Sequence, residues 1–296
     1  MPRKTPPAAT ASKTPVATTA PARASEPFAF PIPKSWLSAP IQIDVVGAGG
    51  NGSLFLNRLA RLHQALLAYG HPTGLQVTAY DPDTVSTANL GRQAFYAADV
   101  GMPKAVALIN RINLAYGYRW KAVPAAYPAT TSNADLVVSC VDTKSARAAI
   151  ATMLKQPRFS GTRLYLDIGN RMNTGQFILG QPPGATADEW RLPCSHELYP
   201  EMIGGREDDD TPSCSMREAL TRQSLMINDV LTAMAIALLD TLFKSGRITH
   251  HGVFVNLETG HTTPMPCDRA LWARIRNTAW QAATTPPPGV MVPRAA

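Results

Sequence analysis

The sequence has no run of about 20 apolar residues, the length a membrane-spanning helix needs. Its most apolar helical stretch, Leu225 to Phe243, is interrupted by Asn228, Asp229 and Asp240 and reads as a core helix. The basic N-terminus is followed by Ala, Thr, Pro and Ser with no apolar segment, so it does not read as a secretory signal. The only cysteines, Cys140, Cys194, Cys214 and Cys267, lie too far apart for a disulfide framework, and a reducing, cytoplasmic setting is expected. No internal repeat is visible. A cluster of Lys and Arg interleaved with aromatics is also missing, which argues against a nucleic-acid surface on the body. The formal charge of +7 is concentrated in a tail: Arg3, Lys4, Lys13, Arg23 and Lys34 stand against Glu26 alone. Weak electrostatic contact of that tail with DNA or an acidic protein stays open.

What is present fits one sizeable core. The 296 residues are 45% hydrophobic and 17% charged, ordinary values for a globular protein. Residues 1–34 are low in large apolar groups and are expected to be disordered; residues 284–296, with three consecutive prolines, read as a second tail. The body, 35–283, alternates strand and helix signals. Strands are expected at Ile41–Val46, Leu75–Tyr80, Trp120–Val123, Asp135–Cys140 and Leu164–Ile168, with helices to about Tyr69, from Pro103 to Tyr116 and from Ser145 to Leu154. That order implies an α/β fold with a parallel sheet and helices on both faces. Further strands at Gln176–Gly180 and Gly252–Leu257, a polar crossover at 181–215 and a long helix from about Met216 to Lys244 extend it.

Gly47-Ala48-Gly49-Gly50-Asn51-Gly52 follows the first body strand and opens a helix. Glycines there let the backbone approach a ligand, and the free N–H groups of the helix start face an anion such as phosphate. Asp81 ends the next strand, where an acid accepts hydrogen bonds from ribose hydroxyls. Up to this point an NAD(P)-dependent oxidoreductase fits as well. The residues after Asp81 disfavour it: Asp83, Asn89, Arg92, Gln93 and Lys104 gather donors that hydride transfer does not need and phosphoryl or adenylyl transfer does. Lys104 at a helix start opposes the helix dipole and calls for an anion beside it. Asp142, at the carboxyl end of the fourth strand, can hold Mg²⁺, cap the next helix, or do both.

GAGGNG, DPDTVSTANLGRQ, GMPKA and the pair Asp142 and Arg147 together resemble the ubiquitin-activating-enzyme-like superfamily that includes ThiF, MoeB and HesA. The resemblance runs from about Ile41 to Pro266. Pro212 to Ser215, Gln223 to Asp229 and His251 to Glu258 are similar to the ThiF-related group of the plasmid-associated PRTRC gene cassette. It implies a Rossmann-like, mostly parallel sheet with an antiparallel extension. It also implies Mg-ATP over Gly47, Gly49, Gly50 and Gly52, ribose contact by Asp81 and phosphate contacts by Asn89, Arg92, Gln93 and Lys104. Mg²⁺ would lie at Asp142, with Asp83 and Arg147 in supporting roles.

The implied activity is adenylation of the C-terminal carboxylate of a small ubiquitin-like protein ending in glycine, by a homodimer. Arg92, Lys104 and Asp142 would serve the chemistry. Cys214 matches the family's reactive cysteine and would capture the product as a thioester; a helix start just after it would favour the thiolate, and a buried, inert thiol is the alternative. Zinc is not expected: the family's paired cysteines are reduced here to Cys194, with His196 near it, and Cys267, and tetrahedral zinc takes four ligands. A non-catalytic nucleotide-binding scaffold is the other reading.

Overall fold

A computed structural model describes residues 27–127, 132–156, 161–183, 191–204 and 224–284, with side chains to 278. Ten strands and six helices are named here in chain order. The strands are β1 (Phe30–Pro31), β2 (Ile41–Val46), β3 (Leu75–Tyr80), β4 (Lys121–Val123), β5 (Leu136–Ser139), β6 (Leu164–Asn170), β7 (Thr174–Gly180), β8 (Arg247–Ile248), β9 (His250–Asn256) and β10 (His261–Pro266). The helices are α1 (Gly50–Ala68), α2 (Lys104–Tyr116), α3 (Lys144–Met153), α4 (Ser195–Leu198), α5 (Ile227–Ser245) and α6 (Arg269–Thr284).

Eight strands form one sheet in the order β10-β9-β7-β6-β5-β2-β3-β4. From β6 to β4 every pairing is parallel; from β6 to β10 every pairing is antiparallel. This is the expected Rossmann-like sheet with its antiparallel extension. Strand order reverses between β2 and β5, the place where open α/β sheets leave a crevice at their carboxyl edge.

The alternation of side chains explains why both faces are covered. Ile43 and Val45 of β2, Val138 of β5 and Leu166 of β6 enter the larger core with α1, α2 and α5. Their neighbours Val46, Val137 and Tyr165 enter a smaller cluster with Ile150, Met153 and Leu154 of the α3 segment. Each fully buried side chain of this kind contributes about 1.5–3 kcal/mol. Helix α5 lies against α1, with Leu231, Leu238, Leu239 and Leu242 buried and the Arg58–Asp229 pair at 2.6 Å at its start. Among the described residues no helix is long and apolar enough to cross a membrane.

Several boundaries differ from the sequence reading. The expected disordered segment 1–34 overlaps the fold: Phe30–Pro31 pairs with β8, the Phe28 N–H donates to the Cys267 carbonyl at 2.9 Å, and Phe30 and Ile32 are buried. Phe28 packs edge-on against Trp272, and Phe30 and Pro31 lie beside β8. The described long helix starts at Ile227, after a turn at Leu225–Met226 and a Ser224 N–H bond to the Met172 carbonyl; the part of the expected helix from Met216 to Gln223 lies outside the described residues. Part of the crossover expected at 181–215 is structured, with α4 and a 3-10 turn at Pro200–Met202. Helix α6, whose Trp272 is buried, and strand β10 had no sequence expectation.

Candidate functional site

The glycine turn joins β2 to α1. Gly47 has φ +90°, and a Cβ there would come within 2.9 Å of the Cys140 carbonyl oxygen, so only glycine holds this turn against the end of β5. Gly52 has a different task from the one expected. A Cβ on it would sit 1.8 Å from the Gly47 carbonyl oxygen, and Gly52 packs the helix against the turn without reaching the cleft. Gly49 is the reverse: nothing lies within 4 Å of where its Cβ would be. As the N-cap of α1 it supplies no side chain, so the first N–H groups of the helix open towards the cleft.

Those groups face a cleft of about 1260 Å³ along the carboxyl edge of the sheet. Gly47, Gly49, Gly50, Asp81, Asn89, Arg92, Gln93, Lys104 and Asp142 all line it. Asp81 is buried; its Oδ2 accepts from the Ala48 N–H at 2.6 Å and its Oδ1 from the Asp83 N–H at 2.8 Å. Burial raises its pKa, while the Ala48 amide, the Lys104 charge and the Asp83 amide oppose the rise. The acid at the end of β3 thus ties the glycine turn to the segment that follows.

That segment, 84–103, is a loop closed at its neck by a bridge between Thr84 and Pro103 and by the Val85 and Gly101 amides. Asn89 Oδ1 accepts from the Ser86 N–H and hydroxyl, which fixes the short turn at 87–89. Arg92 is half-buried; burial lowers its pKa and the charge of Asp142 opposes this. Gln93 Oε1 is buried without a hydrogen-bond partner among the described residues. Lys104 pairs with Asp83 at 2.8 Å, so the anion that its helix-start position called for is supplied by the chain.

On the opposite wall Thr143, not Asp142, caps α3: its hydroxyl accepts from the Ala146 N–H at 3.1 Å. Asp142 is left exposed on the cleft. Arg147 also borders the cleft but is sealed, with Nε 2.9 Å from Asp167 Oδ1 and a terminal nitrogen 2.9 Å from the Val141 carbonyl. Burial works against its charge, but Asp167 outweighs it and holds the guanidinium above its ordinary pKa.

Cys214 lies outside the described residues. Cys194 and Cys267 are buried in different clusters, and burial raises both thiols, Cys267 to about 12. Among the described residues no three His, Cys, Asp or Glu side chains gather as a metal centre.

Sequence reasoning missed Asn51, Asn170, Asn228, Arg171, Tyr127 and Lys144, which also line the cleft. Asn51 donates to Asn170 Oδ1 at 2.8 Å, and its own Oδ1 is buried without a partner. The carboxyl-edge rule applied to β6 would have found Asn170 and Arg171; Tyr127, in an irregular segment, carried no signal.

Solved structures with this architecture include E. coli MccB with ATP, 14% identical with a TM-score of 0.51, and PaaA, 12% identical with a TM-score of 0.51. Both matches cover 77% of this chain and 64% of the other, and at this identity they establish the fold alone. The chain therefore spans less than two thirds of the length of these relatives. No curated protein matches it in sequence. The profile of one family does, over residues 37–270, a span that includes the glycine turn, the pinned loop and both walls of the cleft. The chain belongs to the ThiF family.

Proposed function

We propose that the protein binds ATP with its phosphates over the glycine turn and adenylates the C-terminal carboxylate of a small ubiquitin-like protein. One observation carries this reading: an open helix N-terminus, two cations from the β3–α2 connection and an exposed carboxylate after β5 meet in one cleft. The open space beyond Gly49 suits a nucleotide there. The similar fold of MccB has been solved with ATP.

In this reading Asp81 accepts from ribose hydroxyls, and Asn89, Arg92, Gln93 and Lys104 contact phosphate oxygens. Asp142 would hold Mg²⁺, which takes one or two carboxylates plus phosphate oxygens and supplies charge neutralisation on the triphosphate. The partner's terminal carboxylate oxygen attacks the α-phosphorus, the bond to the bridging oxygen breaks, and pyrophosphate leaves. Arg92 and Lys104 stabilise the charge that builds on it. The Cys214 thiolate then attacks the acyl carbon and AMP departs. A glycine-ended partner, a homodimer and kinship with the PRTRC-cassette group belong to the same proposal.

The test is ATP–pyrophosphate exchange by the full chain with a glycine-ended ubiquitin-like protein. Exchange is expected only when that protein is added. NADH binding without ATP binding would overturn the assignment. A Cys214→Ala variant that still forms a thiol-cleavable adduct removes Cys214 from the second step.

A further inference from the structure

Lys104 is the first residue of α2, where the positive end of the helix dipole disfavours an ammonium. Its side chain is nevertheless only 10% exposed, and Nζ lies 2.8 Å from Oδ2 of Asp83, whose side chain is 63% exposed. The pair does not stand alone. The Lys104 N–H donates to the Asp83 carbonyl at 2.9 Å, the Asp83 N–H donates to Asp81 Oδ1, and Asp81 Oδ2 accepts from Ala48. An unbroken line of hydrogen bonds therefore runs from the glycine turn to the lysine head. The same contacts sit at the neck of the loop that carries Asn89, Arg92 and Gln93, beside the Thr84–Pro103 bridge.

We infer that Asp83 is a positioning residue: its carboxylate holds the Lys104 ammonium in the cleft, in register with the glycine turn, for the β- and γ-phosphates of a nucleoside triphosphate. This rests on the ATP reading above. An ammonium has three donors, and one bond to Asp83 leaves two for phosphate oxygens. Without the carboxylate, a flexible four-carbon stem at a helix start has every reason to swing its charge into water. Asp83 acts on phosphate through Lys104 and makes no contact with ribose or base.

The experiment titrates ATP, ADP and adenosine, with Mg²⁺ present, into the full chain and its variants by calorimetry. Asp83→Asn is expected to weaken ATP and ADP about tenfold, the size of one lost charge-assisted contact, and to leave adenosine unchanged. Asp83→Glu restores most of the loss. In a Lys104→Met background, Asp83→Asn changes nothing further. Equal weakening of adenosine and ATP would show that Asp83 only shapes the turn, and tighter ATP binding would show that it competes with phosphate; either overturns the inference. So do losses that add in the double variant. If the wild-type chain binds none of the three, the ATP reading itself falls. If wild type binds ATP and Asp83→Asn binds it equally well, only the role of Asp83 falls.

Discussion

The two walls of the cleft use charge in opposite ways. On the β3–α2 wall, Lys104 is tucked in but its partner Asp83 faces solvent, and Asp81 is held by amides rather than by a cation. On the β5–α3 wall, Arg147 and Asp167 are both sealed, and the Ser195 hydroxyl takes the second oxygen of Asp167. A half-open pair can admit a ligand beside it, or be separated, at small cost. A closed pair cannot, because separating it leaves a charge in a medium that does not solvate it. The Asp142 and Arg147 positions, adjacent in one motif, thus divide their work: one carboxylate faces the cleft and one guanidinium staples α3 to β6.

The largest effect expected from this division is on stability. Arg147→Met strands the Asp167 carboxylate in the core and is expected to cost about 3–5 kcal/mol, read as a lower midpoint in urea unfolding at pH 7. Asp83→Asn, at the half-open pair, should move the same midpoint by less than about 0.5 kcal/mol. Comparable losses at both sites would erase the distinction between the walls.

A sealed group without a charge partner sharpens it. His251 is fully buried, its Nδ1 bonds the Leu179 carbonyl at 2.7 Å, and burial lowers its pKa to about 4. The unfolded chain takes up a proton near pH 6.5, whereas the folded one resists until about pH 4. Stability from this group is therefore full above pH 6.5 and falls as pH drops towards 4, by about 3 kcal/mol in all. The difference in unfolding free energy between wild type and His251→Phe, followed from pH 7 to 4.5, should shift in favour of the variant. A difference that stays flat would mean the histidine takes up its proton at the same pH in the folded and unfolded chains.

On the open side the effect is on turnover. Asp142→Ala should reduce ATP–pyrophosphate exchange by about 100-fold or more while leaving the urea midpoint within about 0.5 kcal/mol, because Thr143 rather than Asp142 caps α3. Undiminished exchange in that variant would take the carboxylate out of the chemistry.

The sheet was legible because its signals are local: alternation within β2 and β3, a glycine turn, and Pro103 before α2 each act over a few residues. Elements set by distant partners were not. Phe30–Pro31 becomes a strand only because Ile248 and Arg247 lie beside it, and Ser224, ahead of α5, bonds to Met172. The site divides likewise. Gly49, Asp81, Asn89, Arg92, Gln93, Lys104 and Asp142 sit in contiguous motifs and converge on one cleft. What the motifs hid was the task of each member: Gly52 turns to packing, Arg147 borders the cleft but is held by Asp167, and Asn51 joins Asn170 across more than a hundred residues.

Gly49 offers the finest comparison, because it shares a motif with Gly52 and differs only in what surrounds the missing side chain. An alanine Cβ at position 52 would collide with the Gly47 carbonyl, whereas at 49 it would point into open space. Gly49 is not at positive φ; as N-cap of α1 it has φ −78°. Gly49→Ala should thus cost no more than about 1 kcal/mol of stability, the usual penalty of alanine at an N-cap. If phosphates lie against the helix start, the added methyl occupies their path and ATP should bind about tenfold more weakly, near 1.4 kcal/mol, by calorimetry. A variant that is equally stable and binds ATP as tightly would move the phosphates away from the open end of α1, whatever the cations on either wall then hold.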